Sequence, residues 1–158
     1  MIIRIATTED AYAIRDVHIN AYKTSYRGFL PDDILDAMYI DDEAIKKTKK
    51  YLAETECHVV ERNGTIIAFE YVSYPKTDIF EINAIYVHPQ YQRTGAGSLL
   101  IDKICEEKIC NKFNKCIVWT MKNGPSLPFY YKKGFTITSE EKMWKYDIPI
   151  IMLEKKLL

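Results

Sequence analysis

The stretch "YVHPQYQRTGAGSLLIDKI", Tyr86 to Ile104, opens as a strand and closes as an amphipathic helix. Between the two lies Gln92-Arg93-Thr94-Gly95-Ala96-Gly97. A strand that feeds a glycine-rich turn into a helix is suited to holding an anion. The first-turn N–H groups of the helix have no intrahelical partner, and its dipole adds partial positive charge. Gly95 and Gly97 remove side chains, so a phosphate can approach the backbone. Arg93 can add a charge-assisted contact. The blander reading is a tight turn that uses glycine only for its φ angle. A Walker loop needs Gly-Lys-Ser/Thr, and none follows Gly97. A Rossmann fingerprint needs a third glycine near Leu100, an acidic residue about twenty positions on and a preceding parallel strand. Leu100 is not glycine, and no first strand of a parallel sheet precedes it.

Outward from this stretch the chain reads as a mixture of strands and helices. "IIRIA" is a short strand. "TTEDAYAIRDVHINAYKTSY" is a helix, capped by Thr7 or Thr8, with Glu9 and Asp10 suiting the positive end of its dipole. Ala11, Ile14, Val17 and Ala21 repeat at helical spacing. "RGFLP" breaks it, and Pro31 permits a new start at "DDILDAM". "DEAIKKTKKYLAE" is a third helical piece whose KKTKK run reads as a solvated face. Next come "CHVVER", an Asn63-Gly64 hairpin turn, and "TIIAFEYVSY", ended by Pro75. "IFEINAIYV" is closed by His88-Pro89, and a helix runs from about Gly95 to Ile109. "KCIVWTM" is a strand. "NGPSLPFYYKKGF" is a loop and short helix ended by Gly134. "MWKYDIPIIMLEKKL" is a last strand bent at Pro149. The expected architecture is α/β in the α+β sense: one domain over residues 1–158, with a mixed, mostly antiparallel sheet flanked by helices.

Composition narrows the partners. The hydrophobic fraction is 47% and the formal net charge is zero, so no polybasic footprint announces a nucleic-acid partner. No apolar run is long enough to span a bilayer, and the first residues do not form a secretory signal, so no membrane partner and a cytoplasmic location are expected. Cys57, Cys105, Cys110 and Cys116 lack common metal-ligand spacing and read as buried free thiols; no metal is expected.

A second motif follows the first. Asn123-Gly124-Pro125-Ser126-Leu127-Pro128-Phe129-Tyr130-Tyr131-Lys132-Lys133-Gly134-Phe135 is similar to the N-x-x-A-x-x-F-Y-x-k-x-G-F element of the GNAT superfamily of N-acetyltransferases. The loop after "YVHP", Gln/Arg-x-x-Gly-x-Gly/Ala followed by "SLLI", resembles the acetyl-CoA signature of the same superfamily. Ser126 stands where alanine is usual. Pro128 is tolerable only in a first helical turn. With the β-rich front and the strands after each motif, the resemblance covers nearly the whole chain.

The resemblance implies a sheet whose strands splay to admit acetyl-CoA. The pantetheine arm would pair with the backbone of Ile85 and Val87, as a peptide pairs with an open strand edge. The pyrophosphate would sit on the amides of Gln92, Arg93, Thr94, Gly95, Ala96, Gly97 and Ser98. The Val87 N–H would polarise the thioester carbonyl. Asn123 and Ser126 would contact the cofactor arm; on the blander reading Asn123 makes an Asx turn. Tyr130, four residues before Gly134, matches the tyrosine that protonates the leaving thiolate, with Tyr131 as its neighbour. A phenol suits that step. Alternation places Glu81, Asn83, Ile85 and Val87 on one strand face. Glu70, Glu81 and His88 remain open as general bases.

"AYKTSYRGFLPDDILDAM" resembles a segment of a subgroup that includes polyamine (spermidine/spermine) acetyltransferases. That resemblance implies a small primary amine as acceptor, faced by Tyr22, Tyr26, Phe29, Asp32 and Asp33. Rival readings are a peptide or ribosomal-protein N-acetyltransferase and a non-catalytic acyl-CoA sensor. Relatives of this kind often form homodimers, but no interface patch stands out in the sequence.

Overall fold

The computed structural model describes all 158 residues. Strand β1 (Ile2–Ile5) leads through a 3-10 turn (Thr8–Asp10) into α1 (Ala11–Ser25), α2 (Asp32–Asp36) and α3 (Asp42–Glu54). Strands β2 (Glu56–Arg62), β3 (Thr65–Lys76) and β4 (Ile79–Val87) follow, then α4 (Ala96–Cys110), β5 (Lys115–Met121), α5 (Leu127–Lys132), β6 (Thr136–Met143) and β7 (Pro149–Lys156). The seven strands form one sheet in the order β1-β2-β3-β4-β5-β7-β6. Neighbours β1–β2, β2–β3, β5–β7 and β6–β7 are antiparallel, and β4–β5 is parallel. The mixed, mostly antiparallel sheet is therefore the one expected. The chain divides into two compact units: Met1–Val72 with Ala84–Leu100, and Ser73–Asn83 with Ile101–Leu158.

In the first unit the β2–β3 ladder builds two small cores. Cys57, Val59, Phe69 and Tyr71 pack with Ile14 and Val17 of α1. Val60, Ile67 and Ala68 pack with Ala96 and Leu100 of α4. Val60 pairs with Ala68 and Glu61 with Ile66, so Ile67 is the extra residue of a β-bulge and faces the same way as Ala68. Alternation then assigns His58 and Glu70, a cross-strand pair, to the α4 face. On β4 the end of the strand divides likewise. Ala84 and Tyr86 join the α1-side core, and Ile85 and Val87 the α4-side core.

α3 opens on Asp41, whose carboxylate accepts from the Ala44 amide at 2.6 Å, a cap of the kind that contributes about 1 kcal/mol. Its lysines Lys46, Lys47, Lys49 and Lys50 are exposed, as a solvated face requires. Asp10 does more than suit a dipole. Its carboxylate accepts from the Thr7 amide at 2.8 Å and from two nitrogens of Arg4, at 2.7 and 2.9 Å, while Arg4 Nε also reaches Glu61. The Arg4 guanidinium holds the Asp10 carboxyl below the usual carboxylate range. This network ties the start of α1 to β1 and β2.

In the second unit β5 is flanked by β4 and β7. Lys133 at the end of α5 meets Asp102 on α4 at 2.6 Å, anchoring the short helix. The four cysteines are free thiols. Cys57, Cys105 and Cys116 are buried as expected, but Cys110 is exposed. No helix is long and apolar enough to cross a membrane.

Three expectations need correction. β6 went unread because nearly every residue of "TITSEEKM" is exposed. An edge strand held by its hydrogen bonds to β7 shows no apolar alternation. β7 begins at Pro149 where a single bent strand was expected; the backbone turns through Tyr146 and Asp147, both at positive φ. β3 runs past Pro75 to Lys76, on an exposed stretch where a missing N–H is tolerated.

Candidate active site

The β4–α4 loop turns sharply before its helix and leaves backbone amides open. Arg93 has φ 63° and Gly95 φ 91°, so the chain turns twice through the left-handed region. The Thr94 hydroxyl donates to the Tyr91 carbonyl at 2.6 Å and fixes the bend. The Gln92 amide donates to the Pro89 carbonyl at 3.4 Å, which removes it from the set expected to meet a phosphate. The next backbone bond is from the Leu99 amide to the Gly95 carbonyl, 2.9 Å. The amides of Arg93, Thr94, Gly95, Ala96, Gly97 and Ser98 thus have no backbone acceptor, as at the open N-terminus of any helix. The Arg93 side chain is exposed and in no ion pair.

The strand that leads to this loop has a free stretch. The parallel ladder of β4 with β5 runs only from Ile79↔Lys115 to Ile82↔Val118. Ile85 and Val87 lie beyond it.

On the α1 side of the β4 end, four rings close a circuit. His18 lies 5.0 Å from Tyr86 and 5.7 Å from Tyr22, centroid to centroid. Tyr22 lies 4.3 Å from Tyr26, and the Tyr26 hydroxyl is hydrogen-bonded to that of Tyr86. Burial raises the Tyr26 phenol above its ordinary range, with the Tyr86 bond acting the other way. Tyr22 and Tyr26 were expected here; His18 and Tyr86 were not. The spacing Arg15, His18, Tyr22, Tyr26 is a single helical stripe and is the signal that marks His18; it does not mark Tyr86. Phe29 is exposed, and so are Asp32 and Asp33. Asp32 and Asp36 both pair with Arg27, at 3.1 and 3.0 Å.

The three possible bases separate clearly. Glu70 is buried on the α4 face of β3, 3.4 Å from His58, which also faces Glu56 at 3.4 Å. It therefore sits on the opposite face of β3 from the ring circuit. His88 accepts the Gln90 amide on Nδ1 at 3.3 Å, so its ring proton is on Nε2, which faces Asp16 at 3.9 Å. Neither ring nitrogen offers a free lone pair. Glu81 is half-buried in the second unit, on the strand face opposite its neighbour Phe80, whose ring meets Phe113 just past α4. The simple alternation expected to group Glu81 with Ile85 and Val87 therefore does not hold along β4. Burial raises its carboxyl above the ordinary glutamate range, with Lys142 and a hydrogen bond from Asn83 acting the other way.

The second motif is equally specific. Asn123 takes φ 58°, and its exposed side chain makes no hydrogen bond, so it is not an Asx turn. Gly124 is buried, and a Cβ there would lie 2.8 Å from the Met121 Cβ. Gly124→Ala is therefore expected to lower the melting temperature by several degrees, a cost on the order of 1–3 kcal/mol for overpacking; a thermal melt checks it. The Ser126 hydroxyl is 3.3 Å from that of Thr120, and either of the two can be the donor. Pro128 falls in the first turn of α5, where it is tolerated. The helix ends in a Schellman motif: Gly134 N–H to Tyr131 carbonyl, Phe135 N–H to Tyr130 carbonyl, with the Phe135 ring on that of Tyr130. Tyr130 is 7% exposed and Tyr131 46%, so the two adjacent phenols differ sharply in surroundings.

A model of the acetyltransferase (GNAT) domain matches residues 53–137, more than half of the chain. The chain belongs to the GNAT acetyltransferase family. It is an acyltransferase, and acetyl-CoA is the family's co-substrate. An uncharacterized N-acetyltransferase from Bacillus subtilis (strain 168), YuaI, is 28% identical over 137 residues, 81% of this chain and 76% of that one. Among solved structures, the PaiA N-acetyltransferase of Thermoplasma acidophilum, in complex with coenzyme A, superposes with TM-score 0.79 at 18% identity over 99% of each chain. A ribosomal-protein-alanine N-acetyltransferase from Brucella melitensis superposes with TM-score 0.72 at 18% identity, again over 99% of each. At such identities these structures share the GNAT fold with this chain.

Proposed function

We propose that this GNAT enzyme transfers acetyl directly from acetyl-CoA to the primary amine of a small molecule, with a polyamine such as spermidine the leading acceptor. The observation that carries the donor half is the run of six unclaimed amides at the mouth of α4. They suit a pyrophosphate, and Arg93 adds a free cation. The pantetheine arm pairs with the β4 backbone at Ile85 and Val87, beyond the β5 ladder, and the Val87 N–H polarises the thioester carbonyl. Asn123, whose side chain has no other bond, is available to the arm.

The neutral amine attacks the thioester carbon, and the carbon–sulfur bond breaks as the tetrahedral intermediate collapses. Tyr130 gives its phenolic proton to the departing thiolate. The proton leaving the amine passes to Glu81, whose raised basicity suits the task. The tyrosine faces of the α1 wall favour a cationic acceptor. The carboxylates expected to help do so less, since Arg27 neutralises Asp32.

A thiol-release assay with acetyl-CoA against spermidine, spermine, aminoglycosides and short peptides tests the reading. Turnover on spermidine or spermine supports it. Turnover on peptides alone replaces the small amine with a peptide acceptor. A chain that binds acetyl-CoA but turns over none of these amines overturns the acceptor assignment.

A further inference from the structure

Strand register in the second unit gathers one group of side chains on a single sheet face. Glu81 pairs with Ile117, Trp119 with Met152, Met121 with Ile150, and Ile150 with Lys142. Partners in register share a face and residues alternate along a strand, so Glu81, Trp119 and Lys142 lie on the same side. Lys142 starts on β6, three strands from β4, which is ~14 Å at the usual strand spacing. Its side chain leans across β7, and Nζ lies 4.1 Å from the centre of the Trp119 ring on β5, the strand beside Glu81. An indole face attracts an ammonium, so the ring fixes the end of a long, exposed side chain. The Lys142 charge and the Asn83 hydrogen bond both favour the ionised Glu81 carboxylate, against the effect of burial. Other charges near this face are balanced elsewhere or lie apart. Lys115 and Glu154, on the same face, pair at 2.8 Å. Lys156 is exposed, opposite Lys115 in the register. Glu141, on the other face of β6, pairs with Lys122 at 3.0 Å. Tyr74 of β3 meets Phe113, as Phe80 does, and so lies on the opposite face, with Lys76 following it by alternation.

We propose that Lys142, held on the Trp119 ring, is a positioning residue for Glu81: it stations a fixed positive charge on the sheet face where the carboxylate receives the amine proton. The role rests on the proposed reading that Glu81 is the base. A carboxylate accepts a proton only when it is ionised, and a neighbouring cation favours that form. The proton moves from the amine nitrogen to a Glu81 oxygen, and Lys142 exchanges none in this step. The lysine acts on Glu81 through its charge, and the Trp119 ring acts through the lysine.

The test joins carboxyl spectra to kinetics on the full chain. Protein carrying carbon-13 in its glutamate side-chain carboxyls is titrated, and the Glu81 signal is identified by its loss in Glu81→Gln. In parallel, the acid limb of kcat/KM is measured with acetyl-CoA and the amine that gives the highest wild-type turnover in the thiol-release screen. Lys142→Met keeps the apolar stem and removes the charge. Without the cation the ionised carboxylate is harder to reach, so the Glu81 midpoint and the acid limb should move together to higher pH. Lys142→Arg, whose guanidinium also stacks on an aromatic face, should restore both. Trp119→Leu frees the lysine and should move both in the same direction as Lys142→Met, but less. Salt screens the charge of an exposed side chain, so added salt should shift the wild type more than it shifts Lys142→Met.

A Glu81 midpoint that Lys142→Met leaves unmoved overturns the charge coupling. A midpoint that moves while the acid limb stays in place overturns the positioning role. An arginine variant that behaves like the methionine variant also overturns it, because the fit of the lysine and not its charge then matters. If Glu81→Gln keeps the wild-type acid limb, or the wild type turns over no amine in the screen, the underlying reading fails and this role with it. The Glu81 titration then reports the charge pair alone.

Discussion

Tyr130→Phe is expected to lower kcat by about two to three orders of magnitude, the range for loss of a positioned general acid. Tyr130 packs through its ring on Phe129 and Phe135, and phenylalanine keeps those contacts. The Tyr130 carbonyl accepts the Schellman bond from the Phe135 N–H, so the helix end survives. KM for acetyl-CoA should therefore move little. One further measurement separates an acid from a wall residue. A donor ester of a more acidic thiol leaves without help, so the deficit of Tyr130→Phe should shrink with such a donor. A variant that is equally slow with both thiols, or as fast as wild type with acetyl-CoA, removes the acid role. Tyr131→Phe, at the neighbouring exposed position, is expected to be near wild type.

Glu81→Gln should be slower and yet more stable. The rate loss, about a hundredfold, follows from removing the proposed base. The stability gain follows from the sign of the shift. Burial raises the folded-state pKa of Glu81 above its unfolded value, so the folded chain binds this proton more tightly than the unfolded chain does. The favourable contribution is present at low pH, below the unfolded value, and is lost as pH rises through the folded value. At neutral pH the ionised carboxylate is thus a burden that glutamine relieves. Thermal melts at pH 7 should place the variant above the wild type, with the gap closing toward pH 4. The wild-type rate should fall on its acid side with the ionisation of Glu81, and Glu81→Gln should lose that limb. An unchanged acid limb in the variant would take the base assignment away from Glu81. Glu70→Gln is the control, since Glu70 faces the other side of β3.

The glycine loop before α4 was legible because it is local. A run of open backbone amides is set by chain order, and "QRTGAG" places them by chain order alone. The second motif is equally local, since Gly124, Pro128 and Gly134 each answer a backbone demand within a few residues. The acceptor side is not local. His18 and Tyr86 are 68 positions apart and meet only because α1 packs on β4. A histidine on an apolar helix face gives no hint of which strand it will meet. Nor does anything in the spacing of Asp32 mark Arg27 as the partner that takes it. β6 was missed because an exposed edge strand has no buried face to impose a period. Likewise, alternation alone could not reveal the bulge in β3 that sends Ile67 and Ala68 to one face.

The ring circuit has an evolutionary consequence. Two of its four members, His18 and Tyr22, ride on α1 and Tyr26 caps it, while the unclaimed amides belong to the loop after β4. Only Tyr86 shares a strand with Ile85 and Val87. A lineage can therefore rewrite most of this wall through substitutions on one helix while the donor loop stays as it is. On the proposed reading, Tyr86 is the residue at which a change of amine would also press on the thioester, and it should be the slowest of the four to drift.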